Sequence, residues 1–395
     1  MTLPPRWKVK RELRRIFEKA RDAVTLHPAN PMRQFSGRLR QRHHDRNLAS
    51  LLRETPGTRL LASRAAVFVL FQPKGIAEST FMSLDHLAQE GWSVLIISNA
   101  PLSEADRARL ARNCGHVIER PNTGYDFGAY REGWRWLHRH GHQLDQLILM
   151  NDSTWFPLRM QDDSLRRMEA LNVDLAGQIF KTEKTEDKGR DHLESHLLMF
   201  SHRALAHPAI QRFWADYVMT EHKPRTILFG EKGLSQAAIQ ADLLVVGLLG
   251  RERMVELLTQ LSDGELLDAL NNLALHSDAG RKQRALWQTA AAAGQPWRDS
   301  FLTWTSVELS NSLQHLVSAT FIDPATRYGG MAFLKKSVER RFQLARLALV
   351  RGIEAGTIPP MHPAVAGEVD AAIRSWTQPE DWRLNPREKR KSLEL

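Results

Sequence analysis

Between residues 65 and 152, short apolar runs alternate with stretches of helical spacing. That alternation constrains the fold more than any other feature of the chain. "AAVFVLFQ" (Ala65 to Gln72) is apolar throughout and of strand length. "PKG" ends it, and Ser79 to Glu90 has helical spacing. "SVLIISNA" (Ser93 to Ala100) is a second buried strand. Ser103 is placed to cap a helix running to Cys114, with Asp106 three residues on. "HVIER" is a short third strand, Ala129 to His140 a helix, and "QLILMND" (Gln146 to Asp152) a fourth strand. Runs without a polar face imply strands covered on both sides, hence a parallel sheet with helices on both faces. Ligands of such sheets bind beyond the carboxyl ends of the strands. Those ends are Gln72-Pro73, Ser98-Asn99, Arg120 to Asp126, and Asn151-Asp152-Ser153, all polar.

The remainder divides around this alternation. Residues 1–60 read as a basic, helical, linker-like segment, 61–250 as the α/β domain, and 251–395 as a leucine- and alanine-rich helical region. The length of 395 residues suits two or three domains. The net charge of +10 favours an anionic partner: nucleic acid, a membrane surface or a phosphorylated substrate. Much of the excess sits in Arg6 to Val24, Arg38 to Arg46 and Arg387 to Lys391. Leu13, Ile16, Phe17 and Ala20 make one apolar stripe opposite Lys and Arg. Such a helix lies on anionic lipid or packs on its own domain. The single cysteine, Cys114, excludes a disulfide within the chain and a thiolate zinc site, and fits a reducing compartment. The basic N-terminus lacks the apolar stretch of a signal peptide, and no run reaches spanning length. A cytoplasmic protein, soluble or resting on the inner membrane face, is the expectation. The basic residues are concentrated at the termini without a helix-turn-helix, RNA-recognition or zinc pattern, so no nucleic acid partner is expected.

Several short stretches carry chemistry. "NTGYDFGAY" (Asn122 to Tyr130) is a glycine-punctuated turn before a helix. Its glycines let backbone approach a ligand, and the helix start offers N–H groups to a phosphate. Asp126 suits a ribose, a base or a metal, and the alternative is a plain strand-to-helix turn. The stretch is neither a GxGxxG fingerprint nor a Walker loop. Asp152 emerges from a buried strand and needs a partner, either a divalent ion on a diphosphate or the next turn, which it would cap. In "HLESH", alternation puts His192, Glu194 and His196 on one face of a strand, as acid/base machinery, metal ligands or a solvated edge. His138, His140 and His142 surround Gly141 at a helix end. Glu231 precedes a helix that Ser235 helps to cap, as a general base or a carboxylate at a positive helix end. Trp134, Trp136, Trp155 and Trp214 are suited to stacking on sugars or to packing.

Taken together, "SNAPLSEADRARL", "RPNTGYDFGAY", "LILMNDSTWFPL", "HLESHLLMFSHRAL" and "GEKGLSQAAI" resemble the rhamnan synthesis protein F family in order and spacing. The resemblance covers about residues 65–250. It implies a GT-A-like (Rossmann-like) glycosyltransferase of bacterial surface polysaccharide synthesis, whether O-antigen, capsule or rhamnan. The donor would be a nucleotide-sugar and the acceptor a polysaccharide or lipid-linked glycan. In the wider GT-A pattern an NxG turn is followed by a DxD-type strand end. Asn122-Thr123-Gly124 match the turn. Asn151-Asp152-Ser153 stand at the acidic place with one carboxylate, so Asp152 alone would hold Mg²⁺ or Mn²⁺. By the resemblance, Gln72, Pro73, Asn99, Asn122, Gly124, Tyr125, Asp126, Asn151, Asp152 and Ser153 surround the donor. Glu231, or Glu194 in its place, deprotonates the acceptor, with His192 and His196 nearby. A sugar-binding module that kept this fold without catalysis is the alternative.

Overall fold

The computed structural model describes residues 31–182, 191–275, 277–310 and 316–377. The expected basic helix at 7–24, most of the charged loop after Phe180 and the basic stretch at 387–391 lie outside them. Nine strands form the main sheet in the order β1-β4-β3-β2-β5-β9-β7-β10, with β8 beside β7. These are β1 (Arg53–Pro56), β2 (Arg64–Leu70), β3 (Ser93–Ser98), β4 (His116–Glu119), β5 (Gln146–Asn151), β7 (Leu175–Lys181), β8 (His192–Leu193), β9 (Leu197–Ser201) and β10 (Val245–Leu249). A second, two-stranded sheet pairs β6 (Thr154–Trp155) with β11 (Leu334–Lys335), antiparallel.

The four expected strands are β2 to β5, and they run parallel. β7 and β10 are parallel to each other. β9 is antiparallel to both β5 and β7, and β1 is antiparallel to β4. The sheet is therefore mostly parallel, with helices on both faces, as the sequence implies.

Parity explains the continuous apolar runs. Ala66, Phe68 and Leu70 enter one hydrophobic cluster, and Ala65, Val67 and Val69 enter the other. Each fully buried Val, Leu or Phe among them contributes about 1.5–3 kcal/mol. The first cluster continues through Leu266, Phe301, Phe333 and Val369, so the helices after residue 250 pack on the same face as Phe68. The second holds the helix Tyr125–Arg139, whose Phe127, Tyr130, Trp134 and Leu137 recur at three- and four-residue spacing.

The strand order fixes where a ligand fits. From β2 through β3 to β4 the chain moves outward in one direction. It then crosses back to lay β5 on the other side of β2. The carboxyl ends of β2 and β5 thus diverge at a topological switch point, where open α/β sheets leave a crevice.

Candidate functional site

Asp152 follows β5 and reaches across that crevice. Its Oδ2 accepts from the Phe71 N–H and from Gln72 Nε2, both at 2.9 Å. Gln72 is itself fixed, since its Nε2 donates to Thr80 Oγ1 at 2.8 Å and its Oε1 accepts from Ala77 N at 2.7 Å. Pro73 and Ser153 are exposed beside them. So is Phe71, which the sequence reading passed over because it ends an apolar run.

Asn151 is buried and donates its Nδ2 to Asp126 Oδ2 at 3.0 Å. Asp126 lies in the first turn of the helix Tyr125–Arg139. That helix begins four residues earlier than Ala129, the expected start. Gly124 caps it at φ 78°, and Tyr125 follows at φ 52°. A Cβ on Gly124 would meet Met219 Cβ at 2.7 Å, so this glycine serves both conformation and close approach. The Gly124 N–H donates to Glu221 Oε1 at 3.1 Å, and Tyr125 Oη to Glu221 O at 3.0 Å. A carboxylate thus already sits at this helix end. Asn122 is exposed. Asn99 is buried and accepts from the Arg120 guanidinium, which also bonds Glu132 and the Thr123 carbonyl. Asn99 therefore organises the loop from beneath.

"HLESH" differs from the one-faced strand expected of it. β8 ends at Leu193 and β9 begins at Leu197, with a turn between them. All three polar residues are buried, so none belongs to a solvated edge. His192 Nε2 lies 3.5 Å from Glu231 Oε1. His196 sits 3.6 Å from Glu194 Oε2 and packs on the Phe333 ring at 3.9 Å. The cause is Ser195, whose N–H and hydroxyl both donate to Glu231 Oε2, at 3.0 and 2.6 Å. A partner 36 residues away in sequence breaks the strand.

Glu231 lies in a π-helical segment, Thr226–Lys232, that runs directly into the helix Gly233–Ile239. Ser235 does not cap that helix, since it accepts from Leu193 N at 3.1 Å. π-Helical turns are rare and recur at functional sites. Burial alone would raise the Glu231 pKa. Hydrogen bonding and charge from His192, with Lys181 and Ser195, instead hold it down at about 2. Asp126 goes the other way. Burial, then repulsion from Asp152, pushes it up to about 6, with Lys223 opposing and Glu231 adding to the repulsion. Asp126 therefore lies within range of the charges on Asp152 and Glu231. Opposed pKa values among neighbouring carboxylates are a mark of functional sites.

Glu194 is a different kind of group. Its oxygens lie 2.8 Å from Lys181 Nζ and 2.7 Å from Lys335 Nζ. Although burial opposes ionisation, the two ammoniums hold its pKa well below the ordinary carboxylate range. Burial likewise lowers His196 to about 3. Lys335 and Lys336 escaped the sequence reading, which took residues 251–395 as helical. "GGMAFLKK" was the available signal, an apolar run ending in cations.

Three further expectations resolve. His138 and His140 bond carbonyls four residues back and stack on Trp134 and Trp136. Gly141 ends their helix at φ 71°. Trp134, Trp136, Trp155 and Trp214 are all buried, so they pack the core. Among the described residues no three His, Cys, Asp or Glu side chains come together to hold a metal ion. A divalent ion here would take Asp152 and complete its shell from a diphosphate and water, the manner usual for Mg²⁺.

Residues 94–243 match the family model of rhamnan synthesis protein F, a family of bacterial polysaccharide glycosyltransferases, so the resemblance read from the motifs holds over this span. An uncharacterized protein, y4gN, of Sinorhizobium fredii is 28% identical over 319 residues, covering 80% of this chain and 82% of that protein. Core-mannan synthase A of Aspergillus fumigatus, in its Mn/GDP form, covers 49% of this chain and 77% of its own at TM-score 0.30 and 9% identity. The mannosyltransferase PcManGT of Pyrobaculum calidifontis, in complex with GDP-Man and Mn²⁺, covers 91% and 93% at TM-score 0.28 and 12% identity.

Proposed function

We propose that this chain, whose residues 94–243 carry the rhamnan synthesis protein F match, is a GT-A-like glycosyltransferase that moves a sugar from a nucleotide-sugar to a growing polysaccharide or lipid-linked acceptor. One observation carries the reading. Asp152 stands at the crevice of the switch point, bonded to Phe71 N and Gln72 at the end of the neighbouring strand, within charge range of Asp126, where a phosphorylated ligand meets the strand ends. The donor lies along Gln72, Pro73, Phe71 and Asn151 to Ser153, with Asp126 and the Gly124 turn beyond.

In transfer, the acceptor oxygen bonds to the anomeric carbon. The bond from that carbon to the diphosphate oxygen breaks, and its electron pair leaves with the nucleoside diphosphate. Glu231 takes the acceptor proton. It is ionised at any working pH and is held in place by Ser195 and His192. Glu194 has an ammonium against each oxygen, which suits a fixed charge better than a base. Asp152 steers the phosphate end of the donor, directly or through a divalent ion. The basic N-terminal residues would hold the enzyme at the inner membrane face. No helix among the described residues is long and apolar enough to cross a membrane.

The test is thermal stabilisation by a panel of nucleotide-sugars, followed by transfer and donor hydrolysis. A donor at about 100 times its dissociation constant adds about 2.7 kcal/mol. Stabilisation by one donor family, with hydrolysis or transfer, supports the enzyme. Stabilisation by polysaccharide alone supports the non-catalytic binding module.

A further inference from the structure

Two distant stretches of the chain bring three lysines, Lys181 and the adjacent Lys335 and Lys336, to the carboxyl edge of the sheet. Lys181 ends β7, and Lys335 ends β11. Both ammoniums rest on Glu194, which is 2% exposed. The two cations share Glu194, and Lys181 is also within charge range of Glu231. An ammonium has three N–H donors, and both side chains remain partly open to solvent, at 36% and 22%. Lys336 follows directly. Its N–H donates to Ser153 O at 2.9 Å, which ties it to the residue after Asp152. Its Nζ stands 3.5 Å from Ser79 Oγ and 5.6 Å from the Trp155 ring centroid. Burial lowers its pKa, while Asp152 and then Glu368 act to keep it charged.

The backbone that presents these lysines is fastened from inside. Arg346 is 1% exposed, and its Nη2 donates to Lys335 O and Ser337 O at 2.7 and 2.6 Å. A guanidinium buried at that cost fixes the carbonyls flanking Lys336. The segment is thereby held where a mobile loop would leave the ammoniums free to swing.

A departing diphosphate gains negative charge as its bond to the sugar breaks. Fixed cations stabilise that charge as a bound metal does. The strand tip offers one acidic residue, and two hydrogen bonds already fall on its Oδ2. We propose that Lys335 and Lys336, with Lys181, form a cationic clamp for the donor's diphosphate, so that the donor binds without a divalent metal. This rests on the nucleotide-sugar reading of the same site.

The experiment is titration calorimetry of the full chain with inorganic pyrophosphate and with UDP, GDP and dTDP, in EDTA and again with Mg²⁺ or Mn²⁺. Pyrophosphate and at least one nucleoside diphosphate should bind in EDTA. Lys336→Met and Lys335→Met should each weaken that binding about tenfold or more, the loss of one charged hydrogen bond. Lys335→Arg should keep most of it. If Lys335→Met fails to fold, Lys336→Met decides alone, since it leaves the Glu194 pairs intact. Binding that requires metal and ignores both lysines overturns the clamp while keeping the donor site. Absence of nucleoside diphosphate binding in every condition overturns both.

Discussion

Asn151 Nδ2 lies 3.0 Å from Asp126 Oδ2, which joins the end of β5 to the first turn of the helix after β4. The bond spans the glycine-punctuated turn and the polar tip of the fourth strand expected from the sequence. It also fixes the carboxylate whose ionisation is most opposed by its surroundings.

Asp126 should make the folded protein less stable as pH rises. Its pKa is about 6 when folded, against 3.8 for the free group. Between those values the folded state keeps a proton that the unfolded state has lost, so stability falls across this window. The loss is on the order of 3 kcal/mol. Asp126→Asn keeps an acceptor for Asn151 and removes the penalty. Urea unfolding at pH 4, 5, 6 and 7.5 should show the variant more stable at the upper end and flatter across the window. A variant with the wild-type slope would rule the assignment out.

Glu231 has the opposite sign. Its folded pKa of about 2 lies below the free value of 4.5. Its stabilisation is therefore present above pH 4.5 and is lost as pH falls toward 2. Glu231→Gln should remove up to about 3 kcal/mol at neutral pH. Transfer should fall about 100-fold or more, the usual contribution of a general base, while donor binding persists. Transfer at the wild-type rate would remove Glu231 from the base role.

Asp152→Asn should abolish transfer and leave the fold intact. The amide oxygen still accepts one of the two bonds from Phe71 and Gln72. Circular dichroism and melting should change little, by about 1–2 kcal/mol at most for the weakened bonds. Turnover at the wild-type rate would contradict the assignment.

Gly124→Ala tests the turn itself. The substitution meets both a φ of 78° and a 2.7 Å approach to Met219 Cβ. A loss of roughly 2 kcal/mol or more is expected, since left-handed strain and overpacking each cost about 1 kcal/mol or more. Differential scanning calorimetry reads it. A melting temperature within a degree of wild type would mean that the turn rearranges freely.

The sheet was legible because burial on both faces writes continuous apolar runs, as in Ala65 to Leu70. Asp126, Asn151 and Asp152 were legible because polar residues at strand ends stand out against such runs. The failures have two causes, a partner far away in sequence and a misread local helix start. "HLESH" breaks because Ser195 bonds Glu231. Ser235 is no cap because the π-helical turn before it leaves no helix start there. The helix start at Tyr125 was misplaced because its glycine was read as loop, when it is the cap. β11 was missed because a two-residue strand has no period to detect, and its partner Thr154–Trp155 lies some 180 residues earlier.

Glu132 is held from two sides. Its carboxylate bonds Arg120, and His44 Nε2 stands 2.6 Å from its Oε1. His44 lies on the helix Pro31–Leu51, which is also tied by Asp45 to Arg131. Arg120 in turn braces Asn99 and the Thr123 carbonyl. The Pro31–Leu51 helix is thus joined through Glu132 and Arg120 to the loops that follow β3 and β4.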